Sequence, residues 1–158
     1  MMKVWLKRLV VPLFVVLLAS QIFQPARTNP PIDSKREIYI TLAVDPGAVA
    51  VFQRSCNDCH SNRTVWPWYS HVAPVSWLVV SDVNRGRKAL NFSEGVGDRS
   101  EEQQKHLSIC KEVSGGEMPG FPYTLLHRRA KLSPPEVASI CRWTRAPELK
   151  ASAAAGEE

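Results

Sequence analysis

The chain has few alternating stretches. Of its 158 residues, only REIYITLAV at 36–44 alternates as a half-buried strand would. A sheet protein is not expected. No block of Lys and Arg interleaved with aromatics occurs either. The formal charge of +5 is therefore read as scattered surface charge plus cations flanking an apolar segment, and no nucleic-acid partner is expected. No internal repeat is visible. Beyond the first two residues there is a single methionine, Met118. There is a single C-x-x-C pair, and the other cysteines, Cys110 and Cys141, stand alone. A zinc ribbon needs a second such pair, so zinc is poorly supported.

What is present is 44% apolar, enough for one domain with a core, and its 12 prolines and 8 glycines predict short helices joined by irregular turns. Lys3, Lys7 and Arg8 precede LVVPLFVVLLASQIF (9–23), which carries no charge. Cations before an apolar run are the layout of an export segment. No small-x-small cleavage site ends it, so an uncleaved anchor over residues 4–23 is favoured, with a cleaved, soluble periplasmic form as the alternative. Either way the positive flank stays inside and the remainder is exported. We expect residues 1–23 to be anchor or signal segment, 24–43 an extended tether, 44–146 the folded domain and 147–158 a flexible tail.

CNDCHS at 56–61 carries the chemistry. A thioredoxin-like dithiol expects a strand before the cysteines. Here DPGAVAVFQRS predicts a helix leading into them, with Asp45 as N-cap, Pro46 at the first helical position, and Val49, Phe52 and Gln53 on one face. C-x-x-C-H is the attachment pattern for c-type haem. Cysteines three apart on a helical turn reach one side, toward two vinyl groups of one porphyrin. The following imidazole, His60, can then bind the iron. Met118, in SGGEMPGFPY, is expected as the second axial ligand: Gly115 and Gly116 end a helix before it, and Pro119 and Pro122 stiffen the loop after it. His71, His106 and His127 are the rivals, His127 also as a helix-end histidine or a neighbour of the propionates.

Three more helices are predicted, from near Pro74 onward, over 100–114, and over 133–145. The third of these opens with Ser133, Pro134 and Glu136 as a capping box. Leu107, Cys110 and Val113 form one apolar face, and Val137, Ile140, Cys141 and Trp143 another. Two cysteines on facing helices of an exported chain predict a Cys110–Cys141 disulfide. TVWPWYS (64–70) is expected to cover the haem face or edge and shield the iron from water, with ordinary core packing or contact with the nearby membrane as the alternative. Asn62-Arg63-Thr64 and Asn91-Phe92-Ser93 match the glycosylation pattern but are given no weight.

The segments from CNDCHSNRTVWPWYSHVAPVSW through GEMPGFPYTLLHRRAKLSPPE to ICRWT resemble a family of small, exported bacterial haem-binding domains with one c-type haem. In layout they also resemble class I cytochrome c. The resemblance implies Cys56 and Cys59 as attachment residues, His60 as proximal ligand and Met118 as distal ligand. Arg128 stands where the family often has a proline after the histidine. The expectation is thus an all-α haem domain holding one covalent haem c. It would act in one-electron transfer at the periplasmic side of the inner membrane, with redox partners unassigned and no enzymatic activity. A haem-based sensor, or a module reacting with small ligands or peroxide at a labile distal site, is the alternative. A structural redox or metal module without haem is a third.

Overall fold

The computed structural model describes residues 2–38, 44, 46–94 and 99–155. Most of the strand expected at 36–44, and the N-cap expected at Asp45, lie outside the described residues. Among those described there is no strand. The helices are α1 (Met2–Ser20), α2 (Pro46–Ser55), α3 (Asn57–His60), α4 (Val75–Ala89), α5 (Arg99–Gly115), α6 (Phe121–Leu126) and α7 (Pro134–Ala155), with 3-10 turns at Trp68–His71 and Arg128–Ala130. The protein is all-α, as expected.

α2 buries Ala48, Val51, Phe52 and Ser55, the i, i+3, i+4, i+7 stripe of an amphipathic helix. Gln53, expected on that face, is exposed, because one residue on from Phe52 turns it about 100° away. Phe52 is the centre of the core. Its ring meets Phe92 at 5.2 Å and Trp143 at 5.3 Å, so one side chain joins α2, the segment after α4, and α7. Ile140 of α7 and Val113 of α5 complete this cluster. α5 and α7 pack together, and Cys110 and Cys141 are disulfide-bonded across them with Cα atoms 4.8 Å apart.

α5 stops where the glycines predict. Gly116 has φ +75°, a conformation costly for residues with a Cβ, and the N–H groups of Glu117 and Met118 both turn back to the Glu112 carbonyl. At the start of α7, Glu136 accepts from the Ser133 N–H (2.8 Å) and hydroxyl (2.7 Å). These bonds, helped by Arg54, pull its carboxyl down to about 2. α7 runs past the expected end at Arg145 to Ala155, through Pro147. The alanine-rich sequence there has high helix propensity.

The apolar side chains of α1 from Leu9 to Leu18 are exposed. Among the described residues no helix is long and apolar enough to cross a membrane. The segment after α1 does not hang free. Arg87 of α4 donates to the Thr28 carbonyl (2.9 Å), to Asn29 Oδ1 (2.8 Å), to the Ser61 carbonyl (2.8 Å) and to Thr64 Oγ1 (2.8 Å). One guanidinium thereby clamps residues 28–29 to the loop that follows His60.

Candidate haem site

α2 delivers the cysteines. Its last turn bonds the Cys56 N–H to the Phe52 carbonyl, and the chain then tightens into α3, where the Cys59 and His60 N–H groups both reach the Cys56 carbonyl. The two cysteines and the histidine are therefore held by consecutive backbone bonds rather than by side chains. α4 presses directly on this turn at Gly86. A Cβ built there would overlap the Cys59 carbonyl oxygen, with the Cys59 carbonyl carbon at 3.0 Å and its Cβ at 3.1 Å. Only glycine allows that approach.

A buried polar knot fixes the other side. The Phe92 N–H donates to the His60 carbonyl (2.8 Å), the Asn62 N–H to Ser93 Oγ (3.0 Å), and the Asn91 amide to Asn62 Oδ1 (2.9 Å). Asn62 and Asn91 are both buried, so the two glycosylation patterns mark structural asparagines.

The His60 ring has one committed nitrogen. Nδ1 lies 3.1 Å from the Leu90 carbonyl oxygen, which can only accept, so Nδ1 carries the proton and Nε2 keeps its lone pair. Metal-binding imidazoles are commonly oriented this way. Burial pushes His60 below its ordinary pKa, which favours the neutral, ligating form. Burial pushes the Cys56 thiol up to about 12 and the Cys59 thiol up to about 11. A redox dithiol needs a lowered thiolate pKa, so this environment is the opposite of what that chemistry requires.

Two cavities open from these residues. One, of about 360 Å³, is lined by Cys56, Cys59, His60 and Met118, with Gly86 and Tyr123 among its other walls. The second, of about 290 Å³, shares Cys56, His60 and Met118 and is closed by Leu90, Phe92 and Ile109. Apolar walls with both cysteines, a histidine with a free Nε2 and a thioether fit a haem. Ser55 adds a further sign: its hydroxyl is buried, has no partner among the protein atoms, and its residue lines both cavities.

Of the rival histidines, His71 is exposed and lines neither cavity. His127 closes α6. It stacks on Tyr123 at 4.2 Å with Nδ1 near the Tyr123 carbonyl, and it lies within reach of the Tyr69 hydroxyl. The helix-end reading thus describes it. The His106 side chain lies outside what the structure describes. The expected aromatic cover from 64–70 does not line these cavities. Trp68 is 79% exposed, and the aromatic walls are Phe92 and Tyr123 instead.

Asp58 was not anticipated. Its carboxylate accepts from the Tyr123 hydroxyl (2.8 Å) and from the Val65 N–H (3.0 Å), tying the residue between the cysteines to α6. Burial and this carboxylate raise the Tyr123 pKa, keeping the phenol protonated as donor.

An all-α domain whose cavity gathers a C-x-x-C-H turn and a methionine has the make-up of a haem protein. A family model described as haem-binding domain matches residues 15–146, and the chain belongs to that family. Comparisons with curated proteins and with solved structures gave no match.

Proposed function

We propose that the domain holds one haem covalently, through thioethers at Cys56 and Cys59, and transfers single electrons. His60 Nε2 would bind the iron on one side and the Met118 sulfur on the other. The observation that supports this reading is the single cavity lined by all four residues. Each thioether forms when a thiol adds across a vinyl group: the S–C bond forms at one carbon and the thiol hydrogen ends on the other, so no oxidant is consumed. The bound haem supplies the redox chemistry, iron cycling between ferric and ferrous. The chain's own residues set its conditions. Leu90 orients the imidazole, Phe92 and Ile109 exclude water, and the Met118 thioether favours ferrous iron relative to a harder ligand.

The place of action is proposed as the periplasmic side of the inner membrane, with residues 4–23 attached to the bilayer. The uncharged run with cations before it supports this. A redox protein would be the partner, and no catalytic group is assigned.

Met118→Ala is the test. The haem should stay attached, since both cysteines and His60 are untouched. The iron should turn high-spin or take water, the weak red absorption of sulfur-bound ferric haem should disappear, and the reduction potential should fall. An unchanged spectrum and potential would remove Met118 from the coordination. One observation supports a second reading, a sensor or a site for small ligands. Met118 is 44% exposed and also borders an open groove of about 530 Å³, which would give a small ligand a route to the iron beside its sulfur. Ready CO binding by the ferrous protein at neutral pH would favour that reading over a pure electron carrier.

A further inference from the structure

Two runs of the sequence lack Asp, Glu, Lys and Arg: residues 9–26 and residues 64–81. They are far apart in the chain, and the fold fastens them side by side. The Gln21 amide makes paired bonds with the Ala73 backbone, donating to its carbonyl (3.1 Å) and accepting from its N–H (3.0 Å). The Trp77 indole N–H donates to the Phe23 carbonyl (2.7 Å), and Arg27 donates to the Ser70 carbonyl (3.2 Å). The end of α1 is thereby locked to the segment running from the Trp68–His71 turn into α4.

This junction is exposed and apolar. Ile22, Phe23, Val65, Trp68, Trp77 and Leu78 all present large side chains to solvent. Val65 and Leu78 rim one groove of about 270 Å³ beside the haem cavity, the two sharing Cys59, Asp82 and Tyr123. A patch of this kind on a monomer marks an interaction surface rather than ordinary exposure.

We infer that this face rests on a lipid bilayer, in continuity with α1. The inference builds on the proposed attachment of residues 4–23 to the membrane. Three observations choose lipid over a protein partner. The face is joined to a helix whose apolar side chains are exposed from Leu9 to Leu18. Residues 64–81 supply no charged side chain to it, and of the charges at its margin Asp82 is paired with Arg85 and Arg27 is spent on the Ser70 carbonyl. It carries Trp77, bonded to the chain just past α1, and the exposed Trp68, and indoles favour the headgroup boundary. The uncharged helical part of α1, 9–20, spans only about 18 Å against a hydrocarbon core of about 30 Å, so a second apolar contact beside it adds hold that α1 by itself lacks. The haem domain then lies on the bilayer in one orientation instead of swinging on a tether.

The experiment uses the full holoprotein on vesicles of mixed phosphatidylcholine and phosphatidylglycerol, with a nitroxide at Leu78→Cys and, separately, at Lys111→Cys. Lys111 is an exposed residue of α5. The unsubstituted chain, carried through the same labelling, provides the background. The label at 78 should collide more with oxygen than with a water-soluble nickel chelate, and the label at 111 should show the reverse. Adding Trp68→Ser should move the label at 78 toward water while the protein still floats with the vesicles. Flotation with a fully wetted label at 78 would overturn the inference and leave the attachment of residues 4–23 intact. Failure to float would overturn both. A label at 78 that is shielded without vesicles, with dipolar broadening between copies, would assign the face to self-association instead.

Discussion

Gly86→Ala places two effects of opposite sign against each other. In an exposed helix interior this substitution stabilises by roughly 1 kcal/mol, because alanine is the better helix former. Here the added methyl would overlap the Cys59 carbonyl oxygen, and the carbonyl carbon and Cβ of Cys59 stand at only 3.0 and 3.1 Å. Backbone atoms cannot swing aside as a flexible side-chain end would. α4 would have to retreat from the turn by about 1 Å, and overpacking of a well-filled interior costs about 1–3 kcal/mol or more. The steric term wins, and Gly86→Ala is expected to lower stability by about 1–2 kcal/mol net. It should also reach the site, since Leu90, which accepts from His60, lies at the end of the same helix. Urea unfolding at neutral pH measures the first effect. The haem content of protein produced under identical conditions measures the second. A Gly86→Ala protein that is more stable than the parent, with full haem content, would refute the close packing of α4 on the C-x-x-C-H turn.

Replacing Cys110 and Cys141 together by serine removes a bridge across 31 positions. The chain-entropy estimate for such a loop is about 3.5–4 kcal/mol, read as a lowered midpoint in urea, and an unchanged midpoint would refute the bridge. The Glu136 carboxyl, held at about 2 by Ser133 and Arg54, is depressed in the folded state. Its contribution is therefore fully present above its unfolded pKa of about 4.3 and fades as pH falls toward 2, so Glu136→Gln should lower the unfolding midpoint at pH 7 and have less effect at pH 3. Equal losses at both pH values would contradict the assignment. Tyr123→Phe leaves one oxygen of Asp58 without its donor and is expected to cost about 1–3 kcal/mol, with Asp58→Asn/Tyr123→Phe showing non-additive losses in the same assay.

The candidate site residues stand out in the sequence because their signals are local. Cysteines three apart, an adjacent histidine, and a methionine between glycines and prolines each declare themselves within a few residues. The helix ends at Gly116 and Ser133 were legible for the same reason, being set by φ and by short-range hydrogen bonds. What the sequence hid is held by contacts between distant segments. Gly86 reads as an ordinary helix-weakening glycine until α4 is placed against Cys59. Asp58 reads as a solvent residue until Tyr123, 65 positions away, reaches it. The segment 24–43 reads as an extended tether because nothing nearby shows that Arg87 will clamp Thr28 and Asn29. Trp68 misleads in the other direction: its composition suggests haem cover, and the fold turns it outward.

The most direct measurement is mass spectrometry of the denatured holoprotein and of its proteolytic peptides, coupled with the alkaline pyridine spectrum of the reduced haem. The peptide containing Cys56 and Cys59 should carry the mass of one haem, resist alkylation at both sulfurs, and give the pyridine spectrum of a haem with both vinyl groups saturated. Haem that is extracted by acidified organic solvent, with Cys56 and Cys59 both alkylatable, would contradict the covalent site around which the account is built.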